Sequence, residues 1–165
     1  MRGNLQTRLE KLKNGDCDAM LLAYAGVHRM EMESYITQHL EINQFVPAVG
    51  QGSVAIQCAV SLNEDVKSLV RKACNHPETE ARLLTERHLL AHLEGGCSVP
   101  VYGHAVLKGD KIALHAGVLS LDGVENIYHS AQGSDPAILG KEVAMELIHL
   151  GAHQLLRKIR QQLGS

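Results

Sequence analysis

The run LEGGCSVP, residues 93–100, sets a single thiol, Cys97, between two glycines and a Ser-Val-Pro. Glycines remove bulk and open unusual backbone angles, while Pro100 fixes its own φ and withholds a donor; the pattern predicts a tight, accessible loop. A thiol there can act as a nucleophile or carry a covalent group. Against this, the preceding residues predict a helix C-terminus, which disfavours the thiolate, and no partner base stands nearby in sequence. The plainer alternative is a small residue that fits after a helix end. A second group is Arg2, Arg8 and Arg29. Guanidinium groups at a helix start and beyond a strand's C-terminal end can converge on carboxylates, which is where an α/β sheet binds ligands. Solvated surface arginines are the alternative for each of them.

Other patterns point to less. PAVGQGS, residues 47–53, lacks the GxGxxG pattern and the P-loop lysine, so it reads as close backbone packing or a hinge rather than a nucleotide loop. His88 and His92 lie four apart in a helical stretch without a Glu-x-x-His pattern or a third ligand, so no metal is expected. Cys17, Cys58 and Cys74 stand in or near apolar segments and read as packing residues.

The elements that must position these groups follow from periodicity. NLQTRLEKLK (4–13) is an amphipathic helix with Asn4 as N-cap and Gly15 as its stop. DAMLLAY (18–24) reads as a buried strand, and residues 25–40 as helix in one or two pieces. SVAIQCAV (53–60) reads as a further strand, followed by a polar helix over 63–72. Pro77 suits the first turn of a long helix with a wide leucine face, closed by Gly95 and Gly96. VPVYGHAVL, KIALHAGVLS and NIYHSAQG are three strand-like runs separated by Lys-Gly-Asp-Lys and Leu-Asp-Gly-Val turns, which predicts an antiparallel three-stranded sheet. A helix capped by Ser134 or Asp135 and another over QLLRKIRQQL complete the chain. The fold class is α/β, becoming α+β in the C-terminal part.

Composition narrows the field. The 165 residues are 45% hydrophobic and 21% charged, with a formal net charge of −2, which suits a globular protein and gives no basic excess for nucleic acid. Aromatics make up only 3%, too few for base-stacking platforms. No run approaches the ~18 apolar residues of a membrane span. The N-terminus shows no apolar signal region, and four cysteines without a CxxC pattern suit reduced thiols in a cytoplasm.

Taken in order, RGNLQTRL, LAYAGVHRM, PAVGQGSVAIQC, NHPETEARLLTERHLLAHLEGGCSVP and YGHA resemble the porphobilinogen deaminase (hydroxymethylbilane synthase) family over essentially the whole chain. The resemblance implies that Cys97 is the thioether attachment point of a dipyrromethane cofactor. It implies that Arg2, Arg8 and Arg29 hold acetate and propionate carboxylates of porphobilinogen and pyrrole intermediates, with the backbone of Ala25 and Gly26 beside the same cleft. Family members join four porphobilinogen units head to tail and release ammonia at each step, using the cofactor as primer.

The resemblance also implies a division of the chain. Residues 1–48 would be the second half of domain 2, part of a periplasmic-binding-protein-like α/β domain; 49–76 would return to domain 1 and link onward; 77–165 would be the cysteine-bearing domain 3. The family's catalytic aspartate has no match here, so no catalytic residue is expected in this chain. The leading expectation is therefore a truncated porphobilinogen deaminase, inactive alone, with self-association possible through exposed edges. A non-catalytic module that binds a tetrapyrrole precursor or is completed by a partner chain is the alternative. A redox or metal-binding role for Cys97 is a third reading, disfavoured by the cysteine spacing.

Overall fold

The computed structural model describes residues 3–93 and 99–164. By its contacts the chain divides into two compact units, Met1–Glu41 and Ile42–Ser165.

The first unit holds α1 (Leu5–Lys13), α2 (Tyr24–Arg29) and a 3-10 turn at Glu33–Tyr35. Asn4 caps α1 as its position predicts: its Oδ1 accepts from the Thr7 N–H and hydroxyl, each at 2.9 Å. The strand expected at 18–24 does not form. Residues 19–23 run without a ladder, and Leu21 is 67% exposed. A strand exists only through hydrogen bonds to a neighbour, and among the described residues none lies alongside this one. Helix over 25–40 is likewise shorter than periodicity suggests, ending at Arg29 apart from the single 3-10 turn.

The second unit is built around α4 (Pro77–His92), β1 (Val101–Lys108), β2 (Lys111–Leu119), β3 (Asn126–Gly133), α5 (Pro136–His149) and α6 (Ala152–Leu163), with α3 (Glu64–Cys74) preceding them. The strands form an antiparallel sheet in the order β1-β2-β3, as the turn spacing predicts. Register runs from Val101↔Val118 to Lys108↔Lys111, and from Ile112↔Gly133 to Leu119↔Asn126. Gly109, at φ +66°, makes the two-residue β1–β2 connection possible.

Strand alternation gives the sheet two faces. Ile112, Leu114, Ala116 and Val118 face the helices and join Leu89, Leu139, Leu147 and Leu156 in the core. His104, His115, Tyr128 and Ser130 stand on the other face. Gly140 lets α5 approach α4 closely: a Cβ there would come within 2.5 Å of the Thr85 carbonyl oxygen. Asp135 is the N-cap of α5, its Oδ1 accepting from the N–H groups of Ala137 and Ile138 at 2.8 and 2.9 Å.

SVAIQCAV is the other departure. Residues 53–59 carry no strand pairing, and Val54 and Val60 are 92% and 96% exposed. β-branched composition favours a strand but cannot substitute for one to pair with. The helix after it forms as Glu64–Cys74, with Asn63 as N-cap, but buries no side chain. No helix among the described residues is long and apolar enough to cross a membrane.

Candidate functional site

In the first unit, Val27 is buried and turns the opposite face of α2 outward. Ala25, Gly26 and Arg29 all lie on that exposed side: 25 and 29 are one turn apart, and 26 and 29 are neighbours at i, i+3. Around the position of a Cβ on Gly26 there is open space, so packing within the unit does not require glycine there. Arg29 meets no carboxylate among the described residues. The surface therefore offers an uncovered patch of backbone beside a free guanidinium, which suits an acidic ligand approaching closely.

The rest of the unit braces this helix. The Tyr24 and His28 rings stack with centroids 5.7 Å apart, and Tyr24 also meets His39 at 5.5 Å. His28 Nδ1 is hydrogen-bonded to Glu33 across the turn, and that bond holds the Glu33 carboxyl below its usual range. Lys13 donates to the Tyr35 hydroxyl at 3.0 Å. Leucines of α1 and the 20–22 stretch, with Val27 and Ile36, line a partly open pocket of about 310 Å³.

Arg8 is half-buried on α1, and its Nε donates to the Gly3 carbonyl at 2.9 Å. That contact fixes the guanidinium near the helix start, while among the described residues its Nη groups meet no carboxylate. No hydrogen bond or ion pair among the described residues joins Arg8 to the α2 face. Arg2 and Cys97 lie outside the described residues. Of the LEGGCSVP run, Leu93 is wholly buried and Val99 is 9% exposed. The other cysteines correct the expectation of core packing: Cys74 is exposed, and Cys17 and Cys58 are half-buried. Their segments are the ones that find no partner layer, so apolar neighbours in sequence do not become a core around them.

Glu86 is the residue that sequence reasoning passed over. It is 5% exposed on α4, with one carboxylate oxygen accepting from the Gly50 N–H at 2.8 Å and the other from the Ala105 N–H at 2.9 Å. A signal was present: Glu86 falls at helical spacing among Thr85, Leu89 and Leu93, a charge inside the buried stripe. His104 Nδ1 lies 4.0 Å from the same carboxylate. Burial pushes the His104 pKa below its ordinary value of 6.5; Glu86 opposes that shift and Arg82 adds to it.

Two family models match the chain: "Porphobilinogen deaminase, dipyromethane cofactor binding domain" over residues 1–67, and "Porphobilinogen deaminase, C-terminal domain" over residues 80–149. The chain belongs to the porphobilinogen deaminase family. Porphobilinogen deaminase of Desulfosudis oleivorans is 42% identical over 164 residues, covering 98% of this chain and 53% of that protein. That of Cytophaga hutchinsonii is 42% identical, covering 99% and 53%, and that of Staphylococcus aureus 37%, covering 98% and 53%. The chain thus spans about half the length of the curated relatives it matches. Within the porphobilinogen deaminase pattern, Arg2, Arg8, Ala25, Gly26 and Arg29 fall in the stretch matched by the cofactor-binding model, and Cys97 in that matched by the C-terminal model.

Proposed function

We propose that this chain is the part of a porphobilinogen deaminase that carries the primer-bearing cysteine and a share of the carboxylate-binding surface. The parent reaction is the stepwise head-to-tail condensation of four porphobilinogen molecules to hydroxymethylbilane, with loss of ammonia at each step, in a cytoplasmic setting. The observation that carries the reading is the pair of family matches, in sequence order, over most of the chain.

In this reading Cys97 holds dipyrromethane through a thioether, and the bound cofactor supplies the pyrrole terminus on which the chain grows. Arg29, with Ala25 and Gly26 beside it, receives acetate and propionate groups. The open space over Gly26, and an Arg29 that meets no carboxylate among the described residues, fit an acidic pyrrole lying against the helix. Arg8 and Arg2 extend the same role at the start of α1. Residues 1–48 correspond to the second half of domain 2, residues 49–76 to the segment returning to domain 1, and residues 77–165 to domain 3.

The family's catalytic aspartate has no matching motif in these residues, so the 165-residue chain alone forms no hydroxymethylbilane. Incubation of the purified chain with porphobilinogen tests this directly: product release at any rate tied to the protein overturns it. Intact mass followed by peptide mapping tests the cofactor assignment, since an adduct of dipyrromethane mass must lie on Cys97 and on no other cysteine. A second reading, a module completed by a partner chain, is favoured by the unpaired apolar stretch at Val54, Ile56 and Val60. Co-expression with an amino-terminal half that restores product formation supports it.

A further inference from the structure

β1 is an edge strand of the described sheet, so among the described residues the backbone groups of its outer side have no further strand to pair with. Contacts from residues 47–48 and from α4 take their place. The Gly103 N–H donates to the Pro47 carbonyl at 3.1 Å, and Ala48 forms an isolated bridge to Tyr102. At Ala105 both groups are met from α4: Glu86 accepts from the N–H at 2.9 Å, and Arg82 Nε donates to the carbonyl at 2.6 Å. The second oxygen of Glu86 reaches across to the Gly50 N–H. One carboxylate thus ties a helix, an edge strand and the glycine segment together.

We propose that Glu86 is a latch that fastens residues 47–50 to the edge of the sheet and thereby sets where the exposed stretch 53–60 departs. The inference does not depend on the catalytic reading. A buried carboxylate needs donors on both oxygens, and the N–H groups of Gly50 and Ala105 supply one to each. A neutral side chain of the same length cannot serve both amides, because a carboxamide has one oxygen and turns an N–H group toward the second donor. Gly50 and Gly52, at φ +77° and +76°, let the chain turn away once it is fastened. A Cβ on Gly103 would come within 3.2 Å of a Val49 methyl and 2.9 Å of a Leu89 methyl, so the segment and α4 both lie close against the strand there.

The test is residue-resolved amide hydrogen exchange on the full 165-residue chain, comparing wild type with Glu86→Gln and Glu86→Asp. In Glu86→Gln the latch predicts that the Gly50 and Gly103 amides exchange at least about tenfold faster while Leu114, inside the sheet, is unchanged. Glu86→Asp keeps the charge but shortens the reach, so it must retain protection at Ala105 and lose it at Gly50. It serves as the deciding variant should Glu86→Gln fail to fold. Unchanged exchange at Gly50 and Gly103 in the variant that folds overturns the proposal, leaving Glu86 as a cap on Ala105 alone. Because exchange is read without substrate or cofactor, failure here leaves the functional reading untouched.

Discussion

Leu21 and Leu89 are the same side chain in two different settings. Leu89 is wholly buried where α4 meets the sheet and α5, while Leu21 is 67% exposed in a run of equally apolar sequence. Among the described residues of the first unit only Leu9 and Val27 join the buried apolar set, whereas the second unit has a continuous core from Leu89 to Ile159. Apolar content does not separate the two regions; layering does. Helices against a three-stranded sheet give each apolar face a full layer opposite, whereas 18–24 meets the leucines of α1 with Val27 and Ile36 around a partly open pocket, and 53–59 pairs with no strand among the described residues.

The largest effects that sharpen this contrast are expected at α4. Leu89→Ala should cost about 2–5 kcal/mol in denaturant unfolding, since it opens a cavity in a packed core. Gly140→Ala should follow at about 1–3 kcal/mol, because its Cβ would press on the backbone at Thr85 and Leu89, which neither helix can yield cheaply. Asp135→Ala removes the acceptor for two N–H groups and should cost about 1 kcal/mol. At the other end, Leu21→Ala should change stability by less than about 0.5 kcal/mol; a loss comparable to Leu89→Ala would show that the first unit has a core of its own kind.

pH dependence separates the regions more finely. His104 has a folded-state pKa below 6.5, with burial the main cause. Above that value it is neutral in both states and its contribution to stability is fully present. As pH falls below 6.5 the unfolded chain takes up the proton first, so stability declines until the folded-state pKa is passed. The wild-type melting temperature should therefore fall more steeply between about pH 8 and pH 5 than that of His104→Gln. Equal slopes would remove His104 as the cause. The smallest test concerns thiols: among Cys17, Cys58 and Cys74, exposed Cys74 should react first with a thiol reagent, and preferential labelling of Cys17 would contradict its half-buried state.

Much of the second unit was legible in the sequence. Pro77 and the leucine face marked α4, Gly-Asp and Asp-Gly marked the turns of the sheet, and Asp135 marked the start of α5. These are local signals, each decided within a few residues by backbone sterics or capping. DAMLLAY and SVAIQCAV failed as strands for the opposite reason, because a ladder needs a second strand that no local pattern can supply. On the candidate site, Ala25 and Gly26 were named only through the family resemblance; that they share an exposed helical face with Arg29 came from the fold. Glu86 was overlooked because its partners, Gly50 and Ala105, are far from it along the chain.

By itself the sequence determined family membership, the helix caps, the hairpin turns and the amphipathic faces, since each depends on residue type and short spacing alone. Tertiary structure decided which apolar stretches became core, which cysteines stayed open, and that a glutamate in a leucine stripe would hold the glycine segment to the sheet. Burial and hydrogen-bond pairing are properties of what lies opposite a residue, and only the folded chain brings that opposite into place.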